Sequence, residues 1–508
     1  MRYKPVFIKN TFYSSIHLLT YIVVGIILTP VMLDYFDKEY FVFIMLVHTL
    51  SLYVGSIKLG IPEFLAISIA KQKDDVLKRV MIKKSFLIIT FLAFCLLVFL
   101  ALSLLVFDWG RVLSLSEQSN RNILLEVLYV LIFFALVRAP LELVFSVYIG
   151  FHDIYLEKAY QSLSLILNLL LVFYIVENNH SIVFYAWTTG ILELLLCFVG
   201  FLHALLKYKL SIFENILIKK KQYQLILKGG IGFFQLHMTQ ILIWSSGLYL
   251  INFMLAIDVV ASYVVIIKAY TLFLSLYVLL GTLISPMYGK LIISNHFNLI
   301  EDLGHISLIV MQIIGGGIWI VSTIFMEDII LLWLSSGEFY IGDGFIFFMN
   351  LFFYMLGFVY SYITVITCLG FEDKIIKIRW TEYSFGLFIS IVCIYFFGVI
   401  GIPIALSIAC LAISIRLMPG ILAIEGLRFE IKYNVWYLIT GLPLIIVFSL
   451  FAKYYFESIL IKAFIAMTLI MFHTYMMWHM SSSNSKKNLG LFINIRRPLN
   501  NSKFPSQI

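Results

Sequence analysis

The chain has 508 residues, of which 62% are hydrophobic and 13% are charged, and its formal net charge is +8. A soluble domain carries about 25% charged residues, so this composition excludes a soluble multidomain enzyme, a disordered chain and a secreted disulfide scaffold. The basic residues occur in short blocks between apolar segments, which argues against binding to nucleic acid. The composition therefore predicts a membrane protein, whose five cysteines lie in apolar runs and are expected to be small core residues.

A membrane-spanning helix needs about 20 predominantly apolar residues. The basic N-terminus leads into a long apolar stretch without a small-residue cleavage site, so we expect the first span to be retained. The second and eighth spans are long enough to tilt or bend, and the eleventh and thirteenth are short. Fourteen spans are predicted, at residues 12–33, 40–70, 85–107, 123–149, 159–176, 182–207, 227–255, 260–290, 306–326, 345–369, 381–397, 402–422, 437–452 and 460–480.

The orientation follows from the loops, because Lys and Arg are retained on the cytoplasmic side of the membrane. Most basic residues lie in alternate loops, including the segments 71–84 and 219–221. With fourteen spans, both termini are predicted to be cytoplasmic, and residues 481–508 form a basic, disordered cytoplasmic tail.

This topology predicts where a reporter enzyme that is active only outside the cell will work. It is expected to be active when fused after Ser335 and inactive when fused after Gln222 or Lys486. Activity at Gln222 would contradict both the number of spans and their orientation.

The two halves of the chain share landmarks at nearly constant offsets. Six spans return the chain to the same side, so the halves are predicted to be parallel repeats, with the last two spans outside the repeat. In the shared Gly-Phe-x-Asp turns, each glycine is expected to end a helix with positive φ and each aspartate to cap the next helix. The landmarks are Tyr40 and Tyr263, 223 residues apart, Pro62 and Pro286, 224 apart, and the turns Gly150–Asp153 and Gly370–Asp373, 220 apart.

The usual enzyme signatures are missing from the sequence, which has no GxxxxGK phosphate loop, no HExxH and no GxSxG elbow. No cofactor and no metal site are predicted. The run Gly315–Gly317 is expected to allow close helix contact. A membrane-embedded polysaccharide polymerase stays open as an alternative, because the outer loops 108–122 and 327–344 could hold a small site. Helix–helix hydrogen bonds are favoured over a proton relay for the scattered His17, His48, His203, His237, His473 and His479.

The start of the chain resembles a known family. The stretch Pro30–Phe41, followed by Leu59–Pro62 and a basic run after Ala70, resembles the start of polysaccharide and O-antigen flippases of the multidrug/oligosaccharidyl-lipid/polysaccharide exporter superfamily. Those proteins begin with a span, a proline, a short acidic-aromatic turn and a second span that ends in a glycine-containing break. Residues Ala261–Met287 are similar to the family's eighth helix, and the resemblance extends over essentially the whole chain.

The resemblance implies an all-α polytopic protein with two six-helix lobes around a cavity that opens alternately to the two sides. It implies export of an undecaprenyl-diphosphate-linked oligosaccharide across the bacterial inner membrane, with membrane lipid and a polysaccharide polymerase as partners and without nucleic acid. We expect an N-lobe at 1–210, a C-lobe at 211–426, two additional helices at 427–480 and the tail at 481–508.

The additional pair of helices is similar to that of fourteen-helix members such as the lipid II flippase, where it helps to form a lipid groove. Drug exporters of the same superfamily usually carry acidic cation sites in one lobe, so a cation-coupled multidrug exporter is a second alternative. Glu63, Glu142 and Glu193 are our candidates for ion coupling or charge pairing, and Glu126 and Glu382 also lie in or beside spans.

Three basic residues lie inside predicted spans, where a charge at the helix centre costs at least about 2.5–3.5 kcal/mol. Lys58, Arg138 and Lys268 are predicted to line an aqueous cavity and to contact the diphosphate. Arg138 and Glu142 are spaced i,i+4, so a salt bridge between them is an equal alternative. Lys58 and Lys268 have no opposite charge at this spacing, which leaves snorkelling or pairing with another helix as their alternative.

Glycines and prolines inside the spans are candidates for hinges, because proline removes a backbone hydrogen bond. A static kink that improves packing is the competing interpretation. The candidates are Gly60, Pro62, Pro140, Gly281 and Pro286.

Overall fold

The computed structural model describes residues 3–72, 74–106, 118–210, 220–293, 297–424, 427 and 432–479. Within these ranges all regular structure is helical, as predicted. Short 3-10 segments cover Ser56–Lys58, Gly337–Phe339 and Gly398–Ile400, and a π-helical turn covers Cys410–Ser414. The helices are α1 (Tyr3–Gly55), α2 (Ile61–Lys71), α3 (Asp75–Val106), α4 (Gln118–Arg138), α5 (Leu143–Gly150), α6 (Ile154–Glu177), α7 (Ile182–Lys207), α8 (Lys220–Met254), α9 (Ile257–Ile293), α10 (Phe297–Leu334), α11 (Asp343–Cys368), α12 (Glu372–Phe397), α13 (Gly401–Ala409), α14 (Ile415–Ile424), α15 (Lys432–Tyr455) and α16 (Ile459–His479).

The predicted spans lie along these helices, but several helices are longer than predicted: α3 begins ten residues before the span 85–107, and α12 begins nine residues before the span 381–397. In the described part of the chain, ten segments are long and apolar enough to cross a membrane. Large apolar side chains face outward: Phe91 is 66% exposed, Phe388 68% and Leu460 82%. Exposing apolar surface to water is unfavourable by about 25 cal/mol per Å². The fold is therefore that of an all-α, multi-pass membrane protein, and the predicted tail at 481–508 lies outside the described residues.

The chain is predicted to reverse its direction between the first two spans, at residues 34–39. It does so inside one helix. The Asn10 side chain donates to the His152 carbonyl at 2.9 Å, and the Ala66 carbonyl oxygen lies 3.1 Å from where a Cβ on Gly150 would stand. Residues 10 and 66 therefore lie at the same end of the molecule, although α1 is continuous over 53 residues. The two predicted spans are therefore not separated by a helix break, and the segment between them contains neither glycine nor proline to interrupt the helix.

Three predicted spans carry the candidate hinge residues. Two of them are broken, and the third is continuous. The second span breaks after Gly55, where Leu59 and Gly60 adopt left-handed conformations with φ of 50° and 64°. The fourth span breaks between α4 and α5, around Pro140. The eighth span forms α9, which is continuous through residues 281–286.

The two repeated Gly-Phe-x-Asp turns differ in their backbone. Gly370 has the predicted positive φ, 83°, whereas Gly150 is the last residue of α5 and the positive φ of 64° falls on His152. Asp153 makes no capping hydrogen bond, and its Oδ2 accepts from the Tyr208 hydroxyl at 2.6 Å. The roles predicted for Gly150 and Asp153 are therefore wrong. Gly150 instead permits close approach of α2, because a Cβ there would lie 2.7 Å from a side-chain carbon of α2.

The chain divides into two compact units, which we describe separately. The first comprises residues 1–272, 330–341 and 390–399. In it, α1 packs on α4, α6 and α8, and α2 packs on α5 and α8. Its apolar cluster beneath the two helix breaks includes Ile61, Leu65, Ala139, Leu143 and Ile226.

The second unit comprises residues 273–329, 342–389 and 400–508. In it, α11 packs on α13 and α14, and α15 packs on α16. The lobe boundaries inferred from the sequence stay a prediction.

The glycine run of α10 confirms the expectation of close helix contact. A Cβ on Gly316 would lie 2.0 Å from the Nε2 atom of His473 in α16, and that atom contacts the Gln312 carbonyl oxygen at 2.9 Å. A Cβ on Gly315 would lie 2.7 Å from the Tyr277 hydroxyl. The missing side chains therefore allow α9 and α16 to approach α10 within the second unit.

Two further histidines bridge helices, as favoured from the sequence. His203 of α7 contacts the Tyr148 hydroxyl of α5 at 3.1 Å, and His17 of α1 contacts the Ser162 hydroxyl of α6 at 3.3 Å. Both contacts lie within the first unit, where they join helices by polar side chains.

Candidate functional site

Four charged side chains of the first unit meet at the two helix breaks, and we call them the charge quartet. Lys58 ends the 3-10 segment after α1, Arg138 ends α4, Glu142 precedes α5, and Glu193 lies within α7. The Lys58 ammonium contacts Glu142 Oε2, Arg138 Nε lies 2.9 Å from Glu142 Oε1, and another nitrogen of Arg138 contacts the Glu193 carboxylate. Two cations thus face two carboxylates.

The helix breaks explain why these charges can meet. Pro140 has no backbone N–H and cannot continue the hydrogen bonding of α4. One helical turn still survives across the break, because the Glu142 N–H donates to the Arg138 carbonyl at 3.0 Å. The i,i+4 salt bridge considered from the sequence is therefore present. Pairing removes much of the penalty of placing single charges in a membrane.

Lys58 pairs with another helix, which is one of the alternatives left open by the sequence. Its partner Glu142 lies 84 residues away in the chain, so no local spacing could have revealed the contact. The side chains of the quartet are 20–32% exposed, so none of the four is fully enclosed by protein. The role of Lys58 and Arg138 in contacting substrate stays a prediction.

Lys268 of α9 differs from the other two cations. Its ammonium donates to the Thr29 hydroxyl of α1 at 3.3 Å and lies 5.1 Å from the centre of the Phe41 ring. Neither partner carries a charge, and no carboxylate of the described residues forms an ion pair with Lys268. Lys268 is therefore the predicted substrate-binding cation whose charge is not balanced within the described chain.

His48 lies near both Lys268 and Arg138 of the quartet. Its ring is exposed, and the positive charges of Lys268 and Arg138 both act on it. His48 was one of the scattered histidines in the sequence, where nothing indicated that it lies near these charges.

The remaining acidic candidates lie apart from the quartet. Glu63 is in the first turn of α2, where a carboxylate interacts favourably with the helix N-terminus. It forms no ion pair with a described residue. Glu126 is exposed on α4, and Glu382 belongs to the second unit. Of the three coupling candidates, the structure thus brings Glu142 and Glu193 together and leaves Glu63 outside.

The break at Gly60 packs backbone against backbone on α8. A Cβ on Gly60 would lie 2.3 Å from the Gly230 carbonyl oxygen, and a Cβ on Gly230 would lie 2.5 Å from the Leu59 carbonyl oxygen. Pro62 is in the first turn of α2, where its missing N–H needs no partner. It therefore starts a helix rather than bending one.

The hinge roles of Gly60, Pro62 and Pro140 stay predictions, although all three lie at helix breaks. Gly281 and Pro286 lie in continuous helix, and their hinge role also stays a prediction.

Sequence reasoning missed a buried ion pair in the second unit. Arg379 donates to Glu382 Oε2 at 2.6 Å, and their side chains are 5% and 3% exposed. The Ser414 hydroxyl, in the π-helical turn, donates to the same oxygen. The i,i+3 spacing of opposite charges at the start of the eleventh span was the available signal.

A further ion pair lies outside the membrane spans, beyond the end of the first one. Lys38 Nζ lies 2.6 Å from Glu338 Oε2 and 4.0 Å from Asp258 Oδ1. The hydrogen bond and charge of Lys38 hold the pKa of Glu338 below its usual range. This contribution to stability is present above the ordinary carboxyl pKa and is lost as the pH falls through the lowered value. It is small, because both side chains are exposed.

No family model matches the chain, and no curated protein matches it. Solved structures do match. The lipid II flippase MurJ in an inward closed conformation is 14% identical, with a TM-score of 0.64, and the alignment covers 96% of this chain and 100% of that chain. The fold is similar to that of MurJ. A variant of the Vibrio cholerae MATE transporter VcmN is 16% identical, with a TM-score of 0.62 and coverage of 84% of this chain and 98% of that one.

A third match is a MOP superfamily transporter from Pyrococcus furiosus, which is described by a binding pocket of reverse polarity. It is 13% identical, with a TM-score of 0.59 and coverage of 79% of this chain and 93% of that one. The solved structures named here are flippases and transporters rather than enzymes. At these identities the likeness establishes the shared fold.

Proposed function

We propose that this protein is a flippase that moves an undecaprenyl-diphosphate-linked oligosaccharide from the cytoplasmic to the outer leaflet of the bacterial inner membrane. It works by alternating access and serves the synthesis of cell-surface polysaccharide. The observation that carries the proposal is the extent of the match with MurJ, a lipid II flippase, which covers 96% of this chain. The match with the MATE transporter VcmN covers 84% of this chain.

The charges of the first unit support an anionic substrate. A diphosphate entering a region of low dielectric constant must exchange water for fixed positive groups. Lys268 offers a cation without a carboxylate partner among the described residues. Lys58 and Arg138 add two cations that are balanced by acids while no substrate is bound.

A cation-coupled multidrug exporter of the same fold is the second candidate, favoured by the carboxylates in the first unit. Here Glu142 and Glu193 contact Lys58 and Arg138, so a coupling ion at these carboxylates would have to displace a lysine or an arginine. This pairing is the reason to prefer the flippase. The topology with cytoplasmic termini, the two lobes as moving bodies and a polymerase as partner belong to the same proposal.

Deleting the gene is expected to remove most surface glycan and to leave lipid-linked repeat units on the cytoplasmic leaflet. The measurement is the accessibility of those units to a membrane-impermeant glycosidase in intact cells and in inverted vesicles. Single repeat units exposed on the outer leaflet would favour a polymerase instead. Normal glycan together with increased sensitivity to cationic drugs would favour the multidrug exporter.

A further inference from the structure

The four side chains of the quartet contact one another in a row, with a lysine at one end and a glutamate at the other. Glu142 contacts both Lys58 and Arg138, and Arg138 also contacts Glu193. Within the described residues Lys58 has one carboxylate partner, whereas Arg138 has two. If Glu142 released Lys58, it would keep Arg138 as a partner, and Arg138 would keep Glu193. Lys58 is therefore the cation that can be exposed without leaving any carboxylate of the quartet unpaired.

We propose that Glu142 is a resident counter-anion of Lys58, which the diphosphate of an entering lipid-linked substrate displaces and which returns when the substrate leaves. The proposal rests on the proposed function and adds a mechanism for loading and release at the same site. The exchange conserves ion pairs, because the contact of Lys58 with Glu142 is replaced by a contact with the diphosphate.

The position of the quartet suits such an exchange. Its side chains are 20–32% exposed, so Lys58 is not fully enclosed by protein. Both partners lie at helix breaks, Lys58 at the end of the 3-10 segment and Glu142 directly before α5. An unpaired lysine in the empty protein would carry the penalty of a single charge in a membrane. Glu142 removes that penalty and competes with the bound diphosphate, so that the substrate is not held too tightly to leave.

Two substitutions that change the net charge equally separate this exchange from a general electrostatic effect. Glu142→Gln removes the carboxylate from Lys58, whereas Glu193→Gln leaves the contact between Lys58 and Glu142 in place. The probe is undecaprenyl diphosphate, with undecaprenol as the uncharged control, binding to the purified full-length protein in detergent. We expect Glu142→Gln to bind the diphosphate about 5- to 10-fold more tightly and Glu193→Gln less than about 2-fold more tightly.

The double variant Lys58→Met with Glu142→Gln is expected to lose this increase in affinity for the diphosphate. Export by Glu142→Gln in cells is expected to be slower than that of the wild-type protein, because release is delayed. Equal tightening by Glu142→Gln and Glu193→Gln, or no tightening by Glu142→Gln, would overturn the proposal. If Glu142→Gln does not fold, Glu142→Asp replaces it, with a smaller gain in the same direction expected and an unchanged affinity overturning the proposal.

The same measurements distinguish this inference from the proposed function. If the wild-type protein binds undecaprenyl diphosphate no better than undecaprenol, the proposed function fails, and the counter-anion fails with it. If the wild-type protein prefers the diphosphate and Glu142→Gln does not change its affinity, the counter-anion alone fails.

Discussion

Replacing Gly60 with alanine is expected to lower the amount of folded protein severely and to abolish most export. Gly60 has a φ of 64°, a conformation that costs an alanine roughly 1–2 kcal/mol. The added Cβ would also lie 2.3 Å from the Gly230 carbonyl oxygen and 2.5 Å from the Phe234 nitrogen. Both are backbone atoms, which cannot rotate away, so α2 would have to move away from α8. We expect a total loss of at least about 3 kcal/mol.

Gly55 provides the matched control five residues earlier. Its φ is −60°, and a Cβ there would meet no atom within 4 Å. Gly55→Ala is therefore expected to leave stability and export near those of the wild-type protein. The measurement is the thermal unfolding temperature of the purified protein in detergent, together with its abundance in membranes. A wild-type unfolding temperature for Gly60→Ala would show that the contact between α2 and α8 is not as close as described.

Replacing Lys268 with methionine is expected to reduce export at least about tenfold while the protein still inserts and folds, because a diphosphate would lose its fixed cation. No described carboxylate depends on Lys268, so its removal leaves no acid unpaired and relieves the penalty of placing a charge among Thr29, Phe41 and their neighbours. Lys268→Arg keeps the charge and is expected to keep substantial export. Stability and export should therefore change independently of each other.

Export is measured as surface glycan per amount of folded protein in a strain without the chromosomal gene. Normal export by Lys268→Met at normal abundance would show that this cation does not contact the substrate. Lys58→Met is a weaker test of charge alone, because it also removes a partner of Glu142. Lys268 is the better position for this reason.

Several features of the site could be predicted from the chain because they depend on neighbouring residues. The spacing of Arg138 and Glu142 indicated an ion pair within one turn, and that pair is present. Gly60 and Pro140 indicated interruptions in two spans, and both spans are broken near these residues. A proline removes a backbone hydrogen bond and so marks a candidate break, but it does not decide one, since α9 is continuous through Gly281 and Pro286.

Other features could not be predicted, because they depend on which helices become neighbours. The sequence did not reveal that Glu142 contacts Lys58, or that Glu193 contacts Arg138. It did not reveal that Gly230 must be small because Leu59 approaches it. It did not reveal that α1 continues as one helix through residues 34–39, between the first two predicted spans.

The sequence by itself determined that this is an all-helical membrane protein, because hydrophobicity over about 20 consecutive residues decides whether a segment enters the bilayer. It also determined which charges had to find a partner or water, because a single charge in a membrane is unfavourable wherever the helices lie. The tertiary structure decided how that need is met: Lys58 and Arg138 are balanced by Glu142 and Glu193, whereas Lys268 faces Thr29 and Phe41. The physical reason is that ion pairing depends on distances of a few ångströms between side chains, and the packing of helices from distant parts of the chain sets those distances.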